Sequence, residues 1–143
     1  MTMINVSGDF NVSPQISVED IPALKAAGIT LVICNRPDAE VPPSHQAEAI
    51  REAAIAEGMS FAYLPVTPQG ATMETVTELS QLLGAPHGPV LAYCRSGTRS
   101  TTLWALAEAG RRDTNEIIAQ ANEAGYDLGG MRPTIEALAA QHR

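Results

Sequence analysis

At 143 residues the chain is long enough for one hydrophobic core and too short for two, so residues 1–143 read as a single domain. An apolar fraction of 45%, with only two Phe, three Tyr and one Trp, leaves Ala, Leu, Ile and Val to fill that core. The formal charge of −7 repels nucleic acid and anionic lipid over most of the surface, which excludes a polyanionic partner and leaves a small anion as the expected ligand.

Along the chain, the stretch from Ile4 to Val12 is split by Ser7-Gly8-Asp9 and predicts two short strands around a tight turn. Ser17 or Asp20 caps a first helix to about Ala27, with Pro22 tolerated in the first turn and Gly28 as its stop. Thr30-Leu-Val-Ile-Cys34 is a continuous apolar run suited to a strand buried on both faces, ending in the turn-forming Asn35-Arg36-Pro37-Asp38. Ala47, Ile50, Ala54 and Ile55 form the apolar stripe of a second helix from about Ser44 to Glu57. Phe61 to Val66 predicts a further strand, Thr67-Pro-Gln-Gly70 a loop, and Thr72 the start of a third helix with Glu74 near its positive end. Val90 to Tyr93 is another buried strand, and Ser100 to Ala109 a helix carrying Leu103, Trp104 and Leu106. Gly110 and Gly125 close two more helical segments, and Pro133 opens a last one.

This alternation predicts an α/β fold: a mainly parallel central sheet of four or five strands, flanked by helices on both faces and preceded by a β-hairpin. Ligands of such sheets bind at the carboxyl ends of the strands. Cys94 stands there, between a strand and a helix. If Cys94-Arg-Ser-Gly-Thr-Arg99 curls around the helix start, its successive backbone amides converge, and Gly97 permits a conformation that other residues resist. Arg99 supplies a guanidinium fork, so Arg95, Ser96, Gly97, Thr98 and Arg99 form an anion-binding loop. The same field favours a thiolate at Cys94 over a thiol of ordinary pKa about 8.5, making it a nucleophile. Ser100 places a hydroxyl to assist departure of that thiolate from a covalent intermediate. Arg111 and Arg112 add to the local positive charge.

Cys34 ends its apolar strand with no anion loop beside it and reads as core, with a resolving thiol for Cys94 as the functional alternative. Two cysteines fit no disulfide framework or zinc pattern and suit a reducing compartment. His45, His87 and His142 have no metal-ligand spacing, so no metal or other cofactor is expected; His45 alone borders the predicted site. No apolar run approaches a membrane span and the amino terminus lacks a signal pattern, so the expected location is cytoplasmic, with no membrane contact. Nothing in the sequence specifies a protein partner.

Gly8-Asp9-Phe10, Ser17-Val-Glu-Asp20, Asn35-Arg-Pro-Asp38, Leu64-Pro-Val66, Cys94-Arg-Ser-Gly-Thr-Arg-Ser100 and Gly125-Tyr-Asp127 occur in the order in which the chain resembles the phosphatase-like domain of beta-lactamase-hydrolase-like proteins. That resemblance implies the fold of protein tyrosine and dual-specificity phosphatases. It also implies attack of Cys94 on a phosphomonoester, a phosphocysteine intermediate, and Arg99 as the phosphate clamp. Two features depart from the phosphatase pattern. Four residues, not five, separate Cys94 from Arg99, a length similar to rhodanese, whose cysteine carries a persulfide; and Val66-Thr-Pro-Gln-Gly70 lacks the Asp acid. Asp38 is the substitute acid to be weighed against a plain turn residue, and Tyr93 replaces the His that often precedes the cysteine. The expected function is a cysteine phosphatase-like hydrolase, because that resemblance covers the whole chain while the rhodanese resemblance covers only the loop; a rhodanese-type sulfurtransferase and an anion-sensing or partner-binding module without turnover are the alternatives.

Overall fold

The computed structural model describes residues 2–141, so His142 lies outside the described residues. Strands β1 (Ile4–Ser7) and β2 (Phe10–Ser13) form an antiparallel hairpin turned at Gly8, whose φ of 52° is open to glycine at no steric cost. β3 (Leu31–Cys34), β4 (Ser60–Tyr63) and β5 (Val90–Tyr93) complete a five-stranded sheet in the order β1-β2-β5-β3-β4. All pairings except the hairpin are parallel.

Helices cover both faces, as the period-two alternation of the strands demands. On one face Val90, Ala92, Leu31, Ile33, Phe10 and Val12 pack against α3 (Met73–Gly84), α4 (Thr98–Glu108), α5 (Thr114–Glu123) and α6 (Arg132–Gln141). On the other, Val32, Cys34, Leu91 and Tyr93 pack against α1 (Ile21–Ala26) and α2 (Ala47–Ala56). The hairpin, the mainly parallel sheet and the two helical layers are those read from the sequence. No helix among the described residues is long and apolar enough to cross a membrane.

Several boundaries move for local reasons. The strand expected over 61–66 is Ser60–Tyr63; beyond it Leu64 and Val66 still donate to the Cys34 and Asn35 carbonyls at 2.9 and 2.8 Å, but Pro65 has no N–H to extend a ladder. The helix expected from Ser44 begins at Ala47, because Pro42 and Pro43 turn the preceding segment into short 3-10 turns, Asp38–Glu40 and Pro43–His45. The first helix shortens to Ile21–Ala26 behind a 3-10 turn in which Ser17 and Asp20 bond each other as a capping box. The helix expected from Ser100 starts at Thr98, with Gly97 as its N-cap.

Candidate active site

Tyr93 is paired on one side with Ser13 of β2 and on the other with Cys34 of β3, so Cys94 leaves the sheet at its centre, at the carboxyl end. Cys94 is buried, and its amide donates to the Ser13 carbonyl at 3.4 Å. The chain then turns through Arg95 and Ser96, both exposed, into Gly97 at φ 92°. That conformation returns the Gly97 N–H to Cys94 Sγ at 3.0 Å. The first intrahelical bond of α4 joins the Thr101 amide to the Gly97 carbonyl at 3.0 Å, so the amides of Thr98, Arg99 and Ser100 have no acceptor within the helix. They carry the positive end of the helix dipole beside the sulfur. Tyr126, in the connection from α5 to α6, closes over the turn: its hydroxyl donates to the Ser96 carbonyl at 3.0 Å, and a Cβ on Gly97 would collide with it. Burial first, and then the nearby Cys94, raise the Tyr126 pKa.

Arg99 lies in the first turn of α4. Its Nη1 and Nη2 donate to Glu40 Oε2 and Oε1, each at 2.8 Å, and Nη1 also donates to the Val66 carbonyl at 2.7 Å. Three of the five guanidinium N–H groups are thereby engaged, and among the described residues Nε makes no bond. The two that remain, on Nε and Nη2, share one edge of the guanidinium plane and form a bidentate fork for an oxyanion. The Arg99 hydrogen bonds hold the Glu40 carboxyl below the usual carboxylate range; in return Glu40 raises the Arg99 pKa. Arg36 extends the network through Nε to Glu40 Oε1 at 3.2 Å and through Nη1 to Gln15 Oε1 at 3.4 Å.

The other residues singled out from the sequence take distinct places. Ser96 and Thr98 bond each other through their hydroxyls at 3.0 Å, and Arg95 faces solvent. Ser100 is fully buried, and among the described residues its Oγ has no hydrogen-bond partner. Asp38 Oδ1 accepts the Ala47 amide at 2.7 Å, at the start of α2, while its own amide donates to the Tyr63 hydroxyl at 2.9 Å. Cys34 points into the α1–α2 core, donates to the Arg36 carbonyl at 3.3 Å, and has its thiol pKa pushed up by burial. The hydroxyl of its neighbour Tyr93 is buried beside the Cys34 thiol. Arg111 and Arg112 do not join this cluster. The eleven residues of α4 rise about 16 Å, carrying both to the opposite end of the sheet, where Arg112 pairs with Glu108 at 2.8 Å and Glu116 at 3.3 Å.

Glu40 and Tyr126 are not legible in the sequence as site residues. Glu40 lies 59 positions from Arg99, and only the fold brings them together. The available signal is an acidic residue on the connection leaving a central strand, the same signal that draws attention to Asp38.

Residues 2–111 match the family model of the beta-lactamase hydrolase-like protein, phosphatase-like domain. The chain belongs to this family. A beta-lactamase hydrolase-like protein of Agrobacterium fabrum is 32% identical over 98% of the chain, which spans 33% of that relative's length. A crystal structure of a candidate phosphatase of Neisseria meningitidis is 32% identical, with a TM-score of 0.81 over 96% of this chain and 99% of that one. Tk-PTP in its active form, 15% identical, superposes with a TM-score of 0.76 over 99% and 97% of the two chains, which extends the likeness in fold to protein tyrosine phosphatases. The chain is thus a phosphatase-like domain with a protein tyrosine phosphatase-like fold.

Proposed function

We propose that this domain is a cysteine-thiolate hydrolase of phosphomonoesters that works through a phosphocysteine intermediate. The observation that carries the reading is the strand-to-helix turn in which the Gly97 amide donates to Cys94 Sγ at 3.0 Å, at the start of the helix whose first turn bears Arg99, a guanidinium anchored by Glu40 and the Val66 carbonyl. A tetrahedral dianion needs these three things: a nucleophile, amide donors, and a planar cation in fixed orientation. Cys94 is the nucleophile, Arg99 the clamp, and Ser96, Gly97 and Thr98 the wall of the cup. Arg95, exposed at the rim, draws the anion in, and the buried Ser100 hydroxyl stabilises the departing thiolate.

Transfer of a sulfane sulfur to Cys94 is the second reading, favoured by the four-residue spacing between Cys94 and Arg99. Purified protein assayed on aryl phosphates, and separately on thiosulfate with cyanide, separates the two when Cys94 is trapped and weighed by mass spectrometry. Phosphate on Cys94 with phosphate release is the expected result. A persulfide with no phosphate release overturns it. Cys94→Ser is expected to lose all turnover; anion binding by a wild-type protein that turns over neither substrate would instead identify a binding module.

A further inference from the structure

On the phosphatase reading, we propose that the site serves activated phosphoryl donors, aryl phosphates and phosphoric or acyl-phosphate anhydrides, whose leaving group departs as an anion without a proton from the protein. The carboxyls at the carboxyl end of the sheet carry this proposal. The connections leaving β2, β3, β4 and β5, with the stretch between α5 and α6 that packs on Gly97, hold Glu19, Asp20, Asp38, Glu40 and Asp127. Asp20 Oδ2 accepts the Ser17 amide at 2.9 Å, Asp38 Oδ1 the Ala47 amide at 2.7 Å, and Asp127 Oδ1 the Gly129 amide at 2.9 Å. Glu40 is clamped by Arg99 with its pKa lowered, so it holds no proton near neutral pH. Glu19 is exposed on the turn ahead of α1, and Glu48 and Glu74, in the first turns of α2 and α3, are likewise exposed. The His45 ring is engaged through Nδ1 with Ser44 Oγ at 2.8 Å, and the Tyr126 proton is committed to the Ser96 carbonyl.

With the carboxyls at this end of the sheet, among the described residues, either engaged or exposed, the steps that need no acid close as follows. A lone pair of the Cys94 thiolate forms the S–P bond while the P–O bond breaks and its electrons leave on oxygen as an anion. Water then attacks phosphorus, the P–S bond returns its electrons to sulfur, and hydrogen phosphate and one solvent-bound proton are released. An alkyl phosphomonoester would have to expel a strongly basic alkoxide, whereas a phenolate of low pKa, a carboxylate or a phosphate leaves unaided.

The test is a linear free-energy series on the wild-type protein: substituted phenyl phosphates graded by phenol pKa, with acetyl phosphate against glycerol phosphate as the natural-type pair. The expected result is that kcat/KM falls on the order of tenfold per unit of leaving-group pKa, with acetyl phosphate cleaved and glycerol phosphate not. Less than about a twofold fall per unit means that a protein acid protonates the leaving group, and overturns the proposal. So does an Asp38→Asn or His45→Gln variant that markedly steepens the slope, since it would have removed that acid. Phosphate release from none of these compounds defeats the phosphatase reading itself, a result distinct from a shallow slope.

Discussion

On the proposed function, Glu40 decides whether the Arg99 clamp is ready before substrate arrives. Its carboxylate fixes Arg99 by two charge-assisted bonds in a site where both side chains are mostly buried, at 24% and 17% exposure. Glu40→Gln keeps the shape but can accept from only one of the two donors. We expect a stability loss of about 1–2 kcal/mol, read by urea denaturation, because the guanidinium loses its counter-charge while still partly desolvated. A 10- to 100-fold fall in kcat/KM on an aryl phosphate, on the order of the value of one preorganised charged donor, is expected with it. The sign with pH follows from the direction of the shift. A carboxyl whose folded pKa is depressed stabilises fully above its unfolded value of about 4.3 and loses that contribution as pH falls through the lower folded value. The stability gap between wild type and Glu40→Gln should therefore hold at pH 6–7 and narrow below about pH 4. A gap constant down to pH 3 would show that the charge of Glu40 contributes nothing to it. The turn that holds Cys94 and Arg99 is legible in sequence because it is set by neighbours a few residues away. Glu40 is not, because its role depends on a contact that only the closed sheet creates.

The strand–turn–helix unit from Val90 to Glu108 is the element on which the proposed chemistry rests, and most of its structure can be read in advance. An unbroken apolar run bounded by turn residues suits a buried strand, and Gly97 marks a backbone that other residues resist, which the structure shows as a left-handed turn at φ 92°. A helix start at Ser100 is two residues late because Thr98 looks like a loop residue, yet the Gly97 cap and the Thr101 hydroxyl, which donates to the Gly97 carbonyl at 2.8 Å, hold the first turn closed. Arg111 and Arg112 group with the loop only by nearness in sequence; an eleven-residue helix turns that proximity into separation. Gly97 carries two constraints at once, a positive φ and the close approach of Tyr126. Gly97→Ala should cost about 1–3 kcal/mol, read by urea denaturation, and remove activity, since the turn must open to relieve the collision. Adding Tyr126→Ala should recover the steric part while leaving the backbone part. Full recovery by the double variant would mean that Tyr126, and not the left-handed turn, is what forbids a side chain there.

At the scale of the molecule, one sheet separates two cores, and the site sits at the sheet end that both layers support. Ile50 on α2 and Ile135 on α6 are both wholly buried, the first in the cluster that contains Leu24, Val32 and Leu91, the second in the cluster that contains Trp104 and Ile117. Each Ile→Ala change should cost about 2–4 kcal/mol, because the vacated volume is only partly reclaimed by neighbours. The side chains fill opposite faces of the sheet and belong to no common cluster, so the costs should add to within about 0.5 kcal/mol in the double variant. Urea denaturation followed by tryptophan fluorescence and by far-ultraviolet circular dichroism gives both quantities. Trp104 reports only the layer of α3 to α6, whereas the dichroism averages both layers. If the sheet ties the layers into one cooperative unit, the two transitions coincide in every variant and the urea slope is unchanged. If they part in Ile50→Ala, with the fluorescence transition at the higher urea concentration, α1 and α2 unfold first. The connections through Asp38 and Glu40 would be released with them, and activity would be lost before Trp104 registers any unfolding. That order would make the α1–α2 layer, which contributes neither the nucleophile nor the clamp, the part of the fold that limits the working lifetime of the site.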